Sequence, residues 1–141
     1  MLIKEHLADE PQVLIVDDCG LNRLALQGMV SQLGFTFDTA LSGLEAIKLF
    51  KQRLKLLRHG AILYRLILMD YSMHSVSGLE ATRKIRRLVA KYNTGRVSDA
   101  PSPYIVCCTA FGGKEFRDEA LRAGMDRYLS LIHISEPTRP Y

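Results

Sequence analysis

Two apolar runs in this chain end on carboxylates, and neither shows the polar alternation of a strand with one face in water. Gln12-Val13-Leu14-Ile15-Val16 leads into Asp17-Asp18, and Leu66-Ile67-Leu68-Met69 leads into Asp70. Strands that are apolar on both sides belong inside a parallel sheet covered by helices on both faces. Acids at the carboxyl ends of such strands stand where open α/β sheets place their ligands. The spacing therefore predicts three carboxylates gathered at one sheet edge.

The rest of the chain supplies the elements for that sheet. Residues 1–11 read as a polar lead-in. Val13–Val16 is the first strand. Leu21, Leu24, Ala25, Met29, Val30 and Leu33 keep helical spacing, and Gly34 supplies the stop. Phe35–Thr39 reads as a short strand. Ser42 is placed to cap a helix with Ile47, Phe50, Leu54 and Leu57 on one stripe, ended by Gly60.

Leu66–Asp70 is the third strand. Gly78 opens a helix with Leu79, Thr82, Ile85 and Val89 inward. Tyr104–Cys108, Lys114–Ala123 and Met125–Ser130 read as strand, helix and strand. This alternation predicts a doubly wound parallel five-stranded sheet of the flavodoxin type, order 2-1-3-4-5, with right-handed crossovers.

Composition excludes several classes. With 141 residues, 48% of them hydrophobic and 24% charged, the chain suits one ordinary globular domain. No apolar run reaches the roughly 18–20 residues of a membrane span. Cys19, Cys107 and Cys108 are odd in number and imply no disulfide framework, so a cytoplasmic setting is expected. His6, His59, His74 and His133 share no ligand spacing with the cysteines and read as surface residues.

The net charge of +4 is uneven: 12 of the 19 Lys and Arg residues lie between Lys48 and Arg96, opposed there only by Asp70 and Glu80. No aromatic residues interleave them as stacking platforms. They read as the solvated outer faces of two amphipathic helices, with no direct nucleic-acid binding.

Three clustered acids repel one another and push at least one pKa upward. A bound Mg²⁺ removes that conflict, takes oxygen ligands, and leaves a position for a phosphoryl oxygen. Asp70, at the tip of the central strand, is then the natural nucleophile, giving an acyl phosphate. Thr109 ends the neighbouring strand, so its hydroxyl and the Ala110 backbone N–H can each reach a phosphoryl oxygen.

On these residues the chain resembles the response-regulator receiver domain of two-component phosphorelays, the CheY-like family. The resemblance covers roughly Pro11 to Ser130. It rests on Val16-Asp17-Asp18 with Asn22-Arg23, on Leu68-Met69-Asp70 with Met73 and Gly78, on Cys108-Thr109-Ala110, and on Ala123-Gly124-Met125-Asp126-Arg127-Tyr128-Leu129-Ser130. The Asn22-Arg23 pair and the Gly78-Leu79-Glu80-Ala81 helix start look most like receivers attached to hybrid histidine kinases.

The resemblance implies that Asp70 is the phosphoacceptor, charged from phosphohistidine on a histidine kinase or a histidine-containing phosphotransfer protein. That donor would dock near the first helix, around Leu21 to Met29. The resemblance further implies that Asp18 ligates Mg²⁺ directly, Asp17 acts largely through water, and Ser72 offers its backbone carbonyl. Thr109 becomes a switch hydroxyl coupled to the rotamer of Tyr128. Such a domain catalyses only its own aspartyl phosphorylation and hydrolysis and is not an enzyme in the ordinary sense.

The pattern breaks at the end. The family follows its fifth strand with Lys-Pro and a last helix, whereas here Ser130 is followed by Leu131 and by a segment with Pro137 and Pro140. Residues 12–130 thus read as an incomplete receiver, with 131–141 an atypical tail foreign to the pattern and the last helix absent or replaced. A docked helix contributes roughly 6–12 kcal/mol through about four large side chains, against about 5–15 kcal/mol for a whole domain. A marginal or partner-assisted fold is expected.

The missing lysine favours an alternative, a non-phosphorylated pseudo-receiver that serves as an interaction module. The loop after Asp70 also departs, with His74 where the family usually has proline. A phosphatase is disfavoured, because Ser72 stands where a second acid would protonate the leaving group. A flavodoxin-type cofactor binder is disfavoured too, since acids replace the phosphate-cradling loop.

Overall fold

The computed structural model describes residues 10–73, 75–94, 100–110 and 112–130. His74 and the 131–141 tail, with its Leu131, lie outside them, as do His6 and His133. Among the described residues five strands, β1 (Val13–Val16), β2 (Phe37–Ala40), β3 (Leu66–Met69), β4 (Tyr104–Thr109) and β5 (Arg127–Ser130), alternate with four α-helices. The helices are α1 (Gly20–Gln32), α2 (Gly43–Leu56), α3 (Gly78–Asn93) and α4 (Lys114–Ala123). All strand pairs are parallel, in the order β2-β1-β3-β4-β5.

The two faces are unequal. Helices α2, α3 and α4 cover one, closing a core of Leu14, Val16, Phe50, Ile67, Met69, Ile85, Ile105 and Cys107. The other face carries a smaller cluster of Val13, Ile15 and Cys108 beneath Leu26 and Val30 of α1, with Leu66, Leu68 and Val106 half-buried beside it.

Helix α1 departs from the expected stripe. Leu26 and Val30 are its buried residues. Leu21, Leu24, Ala25, Met29 and Leu33, which share the helical spacing with Val30, are exposed, Leu21 at 79% and Leu24 at 65%. Apolar side chains occupy most of the helix circumference, so their spacing does not single out one face.

Local signals set most boundaries. The Ser42 hydroxyl accepts the Glu45 backbone N–H at 3.1 Å while a Glu45 carboxylate oxygen accepts the Leu41 N–H at 3.2 Å, a reciprocal cap for α2. Ser77 caps α3 through the Glu80 N–H. After α2 a 3₁₀ turn, Leu57–His59, leads into Gly60, whose φ of 89° ends the segment in the left-handed region.

The edge opposite the acids is held by Arg53. Its guanidinium donates to Asp38 at 3.2 Å and to the carbonyls of Pro11 and Ile62, and it stacks 4.5 Å from the Tyr64 ring centroid. Tyr64 in turn donates to Asp38.

Candidate functional site

The acids meet because adjacent parallel strands carry them to the same level. Val16 of β1 is in register with Met69 of β3, so the residues that follow, Asp17 and Asp70, leave the sheet side by side. The Asp70 N–H donates to the Val16 carbonyl at 2.9 Å, and the Asp17 N–H donates to Ala40 at 3.1 Å. One oxygen from each of Asp17, Asp18 and Asp70 can be chosen so that all lie within 4.8 Å of one another.

Burial grades across the three. Asp17 is wholly buried, Asp70 is half-buried and Asp18 is exposed. Asp17 Oδ1 accepts the Cys19 N–H at 2.8 Å, whereas its buried Oδ2 has no hydrogen-bond partner among the described residues. The Arg23 guanidinium donates to the Asp17 carbonyl at 2.8 Å, and the neighbouring Asn22 side chain holds the Asp17 pKa partly down. Arg23 and the Cys19 N–H therefore fix the aspartate at the mouth of β1.

Electrostatics follow from that crowding. Burial raises the Asp17 pKa, with the Asp18 charge adding to it. Burial, then the charges of Asp17 and Asp18, push Asp70 up to about 7, although the N–H groups of Tyr71 and Ser72 hold it partly down. Anionic oxygens in this density, one of them buried and unpaired, suit a hard divalent cation with oxygen coordination.

Thr109 ends β4 opposite Ser130 of β5 and is buried, while Ala110 follows it in an exposed turn. Tyr128 pairs in register with Cys107 and packs half-buried against the larger core. Alternation along β4 and β5 puts Cys107, Thr109, Tyr128 and Ser130 on one face of the sheet. Burial pushes the thiols of Cys107 and Cys108 up to about 12, so neither is an activated nucleophile. His59 is exposed, as expected.

Two supports of the site escaped the sequence reading. The Gly78 N–H donates to the Tyr71 carbonyl at 3.1 Å, and a Cβ on Gly78 would overlap the Asp70 carbonyl oxygen. Tyr71, next after Asp70, meets Phe116 of α4 edge-on at 5.3 Å and donates to Glu119. The loop after β3 is thus clamped between the start of α3 and the flank of α4. Within that loop Ser75 adopts a left-handed φ of 69°.

A doubly wound sheet with carboxylates at the ends of β1 and β3 and a hydroxyl at the end of β4 defines a receiver-type phosphoacceptor fold. The chain belongs to the response regulator receiver domain family, whose match spans residues 13–130. It is 29% identical to a probable histidine kinase 1 of Oryza sativa over 148 aligned positions, covering 87% of this chain and 14% of that protein. It is 32% identical to hybrid signal transduction histidine kinase B of Dictyostelium discoideum, covering 84% of this chain and 6% of that protein. The chain therefore spans only a small part of these relatives.

Among solved structures it resembles the Mg²⁺-complexed receiver domain of the histidine kinase CKI1 from Arabidopsis thaliana. The two share 30% identity at a TM-score of 0.72, with 85% of this chain and 82% of that one covered. It also resembles a co-crystal of the Saccharomyces cerevisiae phosphotransfer protein Ypd1 with the receiver domain of Ssk1. There the identity is 27%, the TM-score 0.71, and the coverage 89% and 83%. This is a receiver domain of the phosphorelay type. No helix among the described residues is long and apolar enough to cross a membrane.

Proposed function

We propose that Asp70 accepts a phosphoryl group from phosphohistidine, with Mg²⁺ held by Asp17, Asp18, Asp70 and the Ser72 backbone carbonyl. The observation that carries this reading is the convergence of three carboxylates, one with a buried and unpaired oxygen, at the end of the central strand. When bound, the cation neutralises the crowded acids and polarises a phosphoryl oxygen. A carboxylate oxygen of Asp70 forms the new O–P bond as the imidazole N–P bond breaks. The leaving nitrogen keeps the electron pair and takes a proton from solvent.

Thr109 and the Ala110 N–H serve the phosphoryl oxygens, and Thr109 is the hydroxyl that moves on phosphorylation. Tyr128, on the same sheet face, follows by turning into the space so opened. The donor is a histidine kinase or a histidine-containing phosphotransfer protein docking on α1, whose Leu21, Leu24 and Met29 are exposed apolar residues. The relative crystallised with Ypd1 supports that class of partner.

The experiment is phosphotransfer from a ³²P-labelled phosphohistidine carrier in Mg²⁺, with D70N as control. Alkali- and hydroxylamine-labile label on the wild type and none on D70N is the expected result. Label on both, or on neither, removes the proposal. The sequence following Ser130 favours a second reading, since Leu131 stands where the family has lysine. An unphosphorylated interaction module would take no label and would show no amide shifts around Asp70 with Mg²⁺ and beryllofluoride.

A further inference from the structure

The basic residues from Lys48 to Lys91 do not form two separate solvated faces, because α2 and α3 pack side by side. Lys51, Lys55 and Arg58 follow one line along α2 and the turn after it. Lys84, Arg87 and Lys91 follow one line along α3. These two rails face each other across a groove of 750 Å³ whose floor is Leu54, Leu88 and Tyr92. No acid lines it.

Each helix sends one other arginine to structural work. Arg53 of α2 pairs with Asp38 and Glu10, and Arg86 of α3 pairs with Asp126. The six groove cations make no ion pair among the described residues. Cations in a helix's last turn relieve its dipole, which accounts for Lys55 and Lys91. Arg58 stands likewise in the 3₁₀ turn that follows α2, which leaves Lys51, Lys84 and Arg87 without such a role. Like charges collected around a concave, low-dielectric floor focus a positive field outward.

We infer that the α2–α3 groove binds an acidic amphipathic peptide segment of a partner protein. Each rail spans eight residues, a rise of about 10 Å or two helical turns. A helical segment with apolar residues at i, i+3 or i+4 and i+7 covers Leu54, Leu88 and Tyr92, and acids on its flanks meet the two rails. Other anions match less well. A single-stranded nucleic acid asks for an array of stacking aromatics, and among the described residues Tyr92 is the only aromatic lining the groove. A flat bilayer does not fill a concave groove, and a bare polyphosphate leaves the apolar floor unused.

The groove lies along the C-terminal halves of α2 and α3, at the opposite end of both helices from the Asp70 loop. Its occupation is therefore independent of the phosphoacceptor reading, and the two can fail separately. The test titrates the whole chain with a fluorescein-labelled four-turn peptide, leucine at every third or fourth position and glutamate elsewhere, by anisotropy and amide chemical shifts. Saturable binding with shifts concentrated in residues 51–58 and 84–92 is expected. The quadruple variant K55E/R58E/R87E/K91E should weaken it at least about tenfold, and the milder K55Q/K91Q about threefold.

Retention of the wild-type amide pattern in K55Q/K91Q separates loss of binding from loss of fold. Four results overturn the inference: no binding, shifts elsewhere, equal binding of a leucine-free glutamate peptide, or tighter binding of tripolyphosphate, a single-stranded oligonucleotide or anionic vesicles.

Discussion

The carbonyl of Asp70 rests against the bare Cα of Gly78, at a separation that leaves no room for a methyl group. The obstacle is backbone on both sides, so no side-chain rotation relieves it. Gly78→Ala must therefore shift either the first turn of α3 or the residue that carries the nucleophile. Overpacking of this kind costs about 1–3 kcal/mol. In a phosphotransfer assay the same variant should lose at least about tenfold in rate, because misplacing a reacting group by about 1 Å costs on the order of 10²-fold. A chain destabilised in a urea melt but unchanged in rate would show that the contact positions α3 and not Asp70.

The acidic cluster predicts a pH dependence that metal cancels. The Asp70 pKa stands at about 7 in the fold against 3.8 for the free side chain, and Asp17 is shifted the same way. The folded state thus binds protons more tightly than the unfolded one. Without metal, the stability tied to those protons is complete below pH 4 and is lost as pH rises through about 7. Mg²⁺ needs the deprotonated carboxylates, so its stabilising effect grows over the same range. Thermal melts in EDTA should fall by several degrees between pH 5 and 8, and millimolar Mg²⁺ should restore that loss at pH 8 but not at pH 5. A midpoint that stays flat in EDTA contradicts the coupling.

Leu24 offers a way to separate docking from chemistry. It is 65% exposed on α1, on the side of the helix not engaged by Leu26 and Val30. Leu24→Ser should slow phosphotransfer from a phosphohistidine protein by about five- to tenfold, the loss of roughly 1–1.4 kcal/mol of apolar contact. Labelling by acetyl phosphate, which needs no docking surface, should stay within twofold of wild type. Equal losses with both donors would place the damage in the fold.

The acids were legible in the sequence because their strands are continuous apolar runs, and such runs in parallel pairing bring their ends to one level. The boundaries of β1 and the C-terminal end of α4 follow from the sequence for similar reasons: a run bounded by acids, and a helix with Gly124 at its C-terminal side. Helix α1 was not legible in this way. Only contact with the sheet singles out Leu26 and Val30 from the apolar residues around it. The clamp of Gly78 on Asp70 and the meeting of two basic rails were hidden as well, since both depend on helix placement that no local periodicity encodes.

Arg86 shows how much such placement can rest on one side chain. From α3 it donates to the carbonyls of Gly124 at 2.9 Å and Pro103 at 2.7 Å, to Ser102, and to Asp126 at 2.8 Å. Asp126 Oδ2 also accepts the Ile105 N–H at 2.8 Å. One guanidinium therefore joins α3, the entry to β4 and the turn before β5, the two strands that carry Thr109 and Tyr128. Removing it leaves the Pro103 and Gly124 carbonyls without that donor, and Arg86→Ala should cost about 1–3 kcal/mol by the usual penalty for a partly buried polar group. Arg86→Lys should recover less than half of that, because an ammonium cannot reach all the acceptors that the planar guanidinium fork spans. Urea denaturation of the three proteins measures both numbers, and full rescue by lysine would show that charge alone, not the fork geometry, holds these strands to α3.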